Sequence, residues 1–277
     1  MKTKYTILLT ACVIPPQGMP TLKLTNPQAR LTQYKSALDF YLKNTNVPIV
    51  FVDNSNYDFS NEYLEYIKIK RLEYHTFSAK YDAKLGKGYG ELSIIEYALK
   101  NSLFLKETDY IIKITGRLIV ANIQQLIEDC NKHIYKSHPI AICNINPQLN
   151  YTRTEFFIST AQFYNNYMHK YKFLLEKNIE RLNYEVLTTL SLKLSQKDHC
   201  YFTVFKFPIE LRGIGGGTGK IYDKLPTYEY IKVYTKYILY KYHLLRIYAY
   251  IFKSLQRIKH RLKNKKFYWD VIDSYIK

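Results

Sequence analysis

Four apolar runs narrow the folds open to this chain: YTILLTACVI (residues 5–14), VPIVFVD (47–53), TDYIIKITGRLIV (108–120) and HPIAICNIN (138–146). Each is continuous rather than alternating, and each breaks at polar residues. Runs of this kind suit strands buried on both faces, the usual state in a parallel sheet. All fall short of the roughly 18 uninterrupted apolar residues that a membrane helix needs. Segments with helical spacing lie between them. Leu31, Tyr34, Leu38 and Tyr41 mark a helix from Pro27 to about Asn46, and Leu92, Ile95, Leu99 and Leu103 mark another after GKGYGE. NIQQLIEDCNKHIY (122–135) is a third. Strand and helix alternate from residue 5 to about 146, which predicts an α/β fold with a mostly parallel sheet flanked by helices.

The second half is less regular. TRTEFFISTAQFYNNYMHKY (152–171) reads as a strand or turn followed by a helix, NIERLNYEVLTTLSLKL (178–194) as a helix, CYFTVFKFPIEL (200–211) as a strand, and RGIGGGTGK (212–220) as a glycine-rich loop. Residues 227–266 form a long basic, tyrosine-rich helical region. Composition shifts near Tyr222 to Pro226, so we divide the chain into an α/β domain over 1–222 and a helical tail over 223–277.

Hydrophobic content of 47% excludes global disorder. The four cysteines are scattered with no CxxC, which argues against a disulfide framework or zinc site and fits a reducing cytoplasm. YTILLTACVIP runs straight into PPQGMP and reads as a first core strand rather than a secretory signal.

In an open α/β sheet, ligands sit beyond the carboxyl ends of the parallel strands. Three such ends are visible: Thr10 to Gln17, Asp53-Asn54-Ser55, and Thr115-Gly116-Arg117. Asp53 and Asn54 can take hydrogen bonds from a base or ribose, or simply cap a turn. In GKGYGE, Lys87 and Gly88 can present charge and backbone N–H groups to phosphate at a helix entry. GIGGGTGK is not a P-loop: Ile214 breaks the spacing, and Ile221 follows Lys220 where Ser or Thr is needed. It can still close over a diphosphate, with Gly216 in the loop and Arg212 and Lys220 as charge partners.

The order strand, helix, strand ending VDNSN, GKGYGE opening a helix, then TDYIIKITGRL resembles the nucleotide-binding half of GT-A-fold glycosyltransferases of the family 2 kind. More narrowly it resembles bacterial enzymes of capsule, O-antigen and lipopolysaccharide biosynthesis. The likeness covers roughly residues 5–125. It implies transfer of a sugar from a nucleotide-sugar donor to a surface polysaccharide or lipid-linked glycan acceptor. Asp53 matches the acidic residue that meets base or ribose. The family's Asp-x-Asp metal motif is missing, because Thr115-Gly116-Arg117 stands in its place. Arg117, helped by Lys113, is then expected to neutralise phosphate directly, with no metal ligands and no divalent metal required. An inverting transferase needs a carboxylate base. Glu155, Glu180 and Glu185 are the candidates, with His199 a further possible base. A nucleotidyltransferase ranks low, since CVIPPQGMP after the first strand carries one glycine and no basic residue.

Net charge is +18, and residues 220–277 hold 14 Lys/Arg against 4 Asp/Glu. In that tail Ile231, Tyr234, Ile238, Tyr242, Leu245 and Tyr248 share one side of a helix, flanked by lysines. The pattern suits an anionic membrane interface, which predicts an enzyme peripheral to the inner face of the cytoplasmic membrane. No nucleic-acid motif is present and no nucleic-acid partner is expected. The alternative is a non-enzymatic nucleic-acid or anionic-surface binding protein on an α/β scaffold. The bland reading of the tail is a helix packed on the core with a solvated basic face.

Overall fold

The computed structural model describes residues 3–176, 184–216, 219–244, 247, 250 and 251. A seven-stranded sheet has the order β3-β2-β1-β4-β7-β6-β8. Its strands are β1 (Tyr5–Ala11), β2 (Ile49–Asp53), β3 (Leu72–Thr76), β4 (Tyr110–Thr115), β6 (Ala141–Ile145), β7 (Thr152–Ser159) and β8 (Phe202–Val204). A smaller sheet joins β5 (Ile119–Val120), β9 (Leu211–Ile214) and β10 (Ile221–Tyr222). The strand expected over 200–211 is thus two short strands in different sheets.

All pairings from β3 to β4 are parallel, while β7 is antiparallel to both β4 and β6. The α/β class and mostly parallel sheet expected from the apolar runs are therefore what the chain adopts. The register sets Thr10 beside Thr115 and Ala11 beside Asp53, so three strand ends lie at one level of the sheet edge. Because β7 runs the other way, it is the start of β7, Thr154 and Glu155, that reaches the same edge.

The helices are α1 (Pro27–Asn44), α2 (Leu64–Lys68), α3 (Gly86–Asn101), α4 (Leu103–Lys106), α5 (Ile123–Ser137), α6 (Ala161–Phe163), α7 (Phe173–Glu176), α8 (Tyr184–Lys197) and α9 (Thr227–Lys241). They cover both faces of the sheet. On one face Ile7, Leu9, Phe51 and Ile112 pack with Leu38 and Tyr41 of α1 and Leu126 of α5. On the other, Leu8, Val50, Val52 and Ile111 pack with Leu92 and Ile95 of α3 and Leu187 and Leu190 of α8. Period-two alternation along β4 sends Lys113 into this second, α3-facing layer.

Helix α9 docks on the domain. Val233 is buried, Lys236 Nζ donates to Asn144 Oδ1 at 2.5 Å, and Tyr240 Oη donates to the Phe202 carbonyl. Burial depresses the Lys236 ammonium to about 8.

Candidate functional site

A cavity of about 750 Å³ opens at the sheet edge where β1 and β4 end. The loop after β1, the first turn of α3, the start of β7, the first turn of α8 and the β9–β10 hairpin surround it. Such a place is where an open α/β sheet binds ligands.

One wall is cationic. Lys84, Lys87 and Arg117 line it, with Gly86 to Gly90 of the first turn of α3. No side chain caps α3, and the Gly86 N–H is taken by the Ala83 carbonyl, so the next N–H groups of the turn and the positive end of the dipole remain there. Among the described residues neither the Lys84 nor the Lys87 ammonium has a hydrogen-bond or ion-pair partner within contact distance. Gly88 is where α3 meets α8: a Cβ there would stand 2.5 Å from the Tyr184 Cβ. Its small size serves helix packing as well as any ligand.

Arg117 is 7% exposed and partly engaged. Its Nη1 donates to the Ile214 carbonyl at 2.7 Å and to Gln33 Oε1 at 3.2 Å, tying the β4 tip to β9 and α1. Gly216 packs on the other side of the guanidinium, where any Cβ would collide with Nη2. Arg30 also borders the cavity, but its donors all serve structure: Cys12 O at 2.8 Å, Leu24 O at 3.0 Å and Tyr34 Oη at 3.2 Å.

Carboxylates line the cavity as well. Glu155 and Glu185 both line the cavity, joined by Glu91 from α3. The two candidates differ in environment. Burial pushes the Glu155 carboxyl up, but the Arg153 guanidinium at 2.9 Å, its own backbone N–H and Lys113 together hold the group below the usual carboxylate range. Glu185 has no such partner. Burial raises it, with Glu91 and Glu155 adding to the effect and Lys87 opposing it. The Tyr151 hydroxyl beside them is kept protonated by burial and by both glutamates. A carboxylate with a raised pKa is the better proton acceptor, and one pinned by arginine stays ionised. Glu180 lies outside the described residues. His199 is exposed in the turn after α8 and does not border the cavity.

Several sequence expectations need correction. Asp53 does not border the cavity. It is fully buried, and its carboxylate accepts from Val13 N at 2.7 Å, Ser55 N at 2.8 Å, Ser55 Oγ at 2.6 Å and Tyr57 N at 3.1 Å. It fastens the loops after β1 and β2 to each other. Lys113 does not reach phosphate either. It is fully buried, ion-paired with Glu91 and donating to the Thr154 carbonyl at 2.6 Å. Gly116 lies behind the cavity, its N–H bonded to Thr10 O at 2.9 Å. Arg212 and Lys220 are exposed and do not border the cavity. Thr10, Asn54, Lys87, Gly88, Thr115, Arg117, Gly216, Glu155 and Glu185 do.

Glu91 was missed. Its Oε1 accepts from Thr10 Oγ1 at 2.9 Å and Thr115 Oγ1 at 3.3 Å and pairs with Lys113, so it organises the cavity floor. A lysine inside an apolar strand demands a buried partner, and that demand was the available signal. The Cys12 thiol at the rim is pushed up to about 12 by burial, which keeps it protonated.

The β4 tip does not fit a divalent cation. Thr115 offers a hydroxyl already turned to Glu91, and a guanidinium follows two positions later. Among the described residues no group of three or more His, Cys, Asp or Glu could hold a metal ion.

No family model matches the chain, and no curated protein matches it. Solved structures with similar folds include the glycosyltransferase GlyE from Streptococcus pneumoniae TIGR4, at 13% identity and a TM-score of 0.44 over 73% of this chain and 45% of that one. A cytidylyltransferase from Leptospira borgpetersenii serovar Hardjo-bovis gives 16% and 0.37 over 88% and 97%. The mannosyltransferase Ktr4p from S. cerevisiae gives 14% and 0.40 over 76% and 70%. The chain spans less than half the length of GlyE. Likenesses at this level carry no functional argument, so function must be argued from the cavity.

Proposed function

We propose that this chain is a glycosyltransferase that binds a nucleotide-sugar in the sheet-edge cavity. The observation that carries the reading is that Lys87 of α3 and Glu185 of α8 line one cavity. A diphosphate would rest on the uncapped turn of α3 with Lys84 and Lys87, and Arg117 would border it. The sugar would then lie toward Glu155 and Glu185.

Glu185 takes the proton from an acceptor hydroxyl as that oxygen bonds to the anomeric carbon. The anomeric carbon–oxygen bond breaks with its electron pair going to the nucleoside diphosphate, whose added charge the lysines stabilise. Glu155, held ionised by Arg153, stabilises positive charge developing on the sugar and does not carry the proton. The acceptor proposed is a glycan hydroxyl of a surface polysaccharide or lipid-linked precursor of the capsule or O-antigen kind.

The test is product analysis with a panel of UDP-, GDP-, CMP- and TDP-sugars, with manganese or with EDTA. Release of a nucleoside diphosphate (or of CMP from a CMP-sugar) from one donor, unchanged by EDTA, supports the reading. Strict dependence on manganese would put a metal in the reaction and overturn the cation wall's role. Formation of a nucleotide-sugar with release of pyrophosphate would mean nucleotidyl transfer instead.

A further inference from the structure

The outer side of α9 carries a feature that the cavity does not use. Its inner stripe, Val233, Lys236, Tyr237 and Tyr240, packs on the domain. On the opposite side Tyr228 is 63% exposed, Ile231 65%, Tyr234 49% and Tyr242 61%, with Ile238 half-buried between them. These five recur at spacings of three and four, which places them on one helix face. Lys232 and Lys241 flank the stripe, and both are exposed. Past the end of α9, where His243 takes a positive φ of 60°, Leu244, Ile247, Tyr250 and Ile251 are each more than 45% exposed as well. Single exposed apolar residues are ordinary, but five on one helix face mark a contact surface.

We propose that this face of α9 docks on an anionic lipid bilayer, lying in the interface without crossing it. Two observations select the occupant. Residues 220–277 carry a net +10, so a second copy presenting the same face would be repelled while an anionic surface is attracted. The centre of the stripe is isoleucine and tyrosine, with the cations at its edges. Nucleic acid would need the cations central and would gain little from Ile231 or Ile238. Lipid fits both parts: aliphatic side chains enter the acyl boundary, tyrosines sit at headgroup level, and lysines meet the phosphates. Among the described residues no helix is long and apolar enough to cross a membrane, which agrees with a surface contact. The inference stands apart from the sugar-transfer reading, since it concerns another face of the molecule.

The test is co-sedimentation of the full chain with vesicles of phosphatidylcholine alone and of phosphatidylcholine with 30 mol% phosphatidylglycerol. The wild type is expected to partition at least tenfold more strongly onto the anionic vesicles. The double variant Ile231→Ser, Tyr234→Ser keeps every lysine and should lose at least fivefold of that partitioning, with unchanged melting temperature and monomeric mass. Equal binding by wild type and variant would show that charge alone acts and would overturn the stripe's role. No binding to anionic vesicles would overturn the proposal outright. So would a wild-type dimer that the variant dissociates, or salt-sensitive binding to single-stranded DNA that displaces the vesicles.

Discussion

The carboxylate at the end of β2 and the two that line the cavity present the same functional group in opposite conditions. Asp53 sits at the strand end where a ligand contact was expected, yet four donors from its own loops occupy it. Glu185 sits on a helix in the irregular half of the chain, with burial raising its pKa and no cation bonded to it among the described residues. Glu155 falls between them, in the cavity but pinned by Arg153. Position at a sheet edge therefore does not make a functional carboxylate. On the reading proposed above, acceptor capacity facing a cavity does. The same contrast separates the lysines: Lys113 is closed off by Glu91, whereas Lys87 is open to the cavity.

Four results would break or sharpen that contrast. The largest effect is expected at Glu185: Glu185→Gln should lower turnover by about 10²–10⁴-fold with donor affinity nearly unchanged, read by steady-state kinetics. Equal losses for Glu155→Gln and Glu185→Gln would erase the distinction drawn between them. Next, Lys113→Met should cost about 4 kcal/mol in urea unfolding by leaving Glu91 without its cation, and adding Glu91→Gln should recover much of it. A folded Lys113→Met protein that merely bound nucleotide poorly would return Lys113 to the ligand. Asp53→Ala should cost about 3 kcal/mol through the loop donors it leaves unpaired, while nucleotide affinity per folded molecule is kept.

The smallest effect separates the glutamates by pH. The folded pKa of Glu185 is raised, so its ionisation opposes folding; that cost is absent in acid and grows as pH rises through and above the ordinary carboxylate range. Glu155 is lowered, so its ionisation favours folding at neutral pH and the gain is lost as pH falls. Solvent screening keeps each effect small. Glu185→Gln should thus be slightly more stable than wild type at pH 7 and Glu155→Gln slightly less, the two converging on wild type in acid. The check is a set of urea midpoints between pH 4 and 7.

Much of this was legible in the chain because burial on both faces leaves a plain mark. The runs ending at Ala11, Asp53 and Thr115 gave three strands and their common edge. The direction of β7 was not legible: TRTEFFIS is apolar and β-branched whichever way it runs, so only pairing reveals that Glu155 enters the site from a strand's start. Lys113 was readable in principle. Its place between Ile112 and Ile114 fixes the layer it faces, and a buried ammonium requires a carboxylate. Tyr residues all round α9 concealed which stripe packs. The stripe expected to face outward does so at Ile231, Tyr234 and Tyr242, while Leu245, Tyr248 and residues 252–277 lie outside the described residues.

The most direct measurement is calorimetric titration of UDP, GDP, CMP and TDP into the wild type and Lys84→Ala, Lys87→Ala. One nucleotide should bind with a dissociation constant of about 1 mM or tighter, and the double variant should weaken it about tenfold or more at unchanged stability. Binding of no nucleotide, or equal binding by the double variant, would contradict the assignment of the α3 wall to a diphosphate.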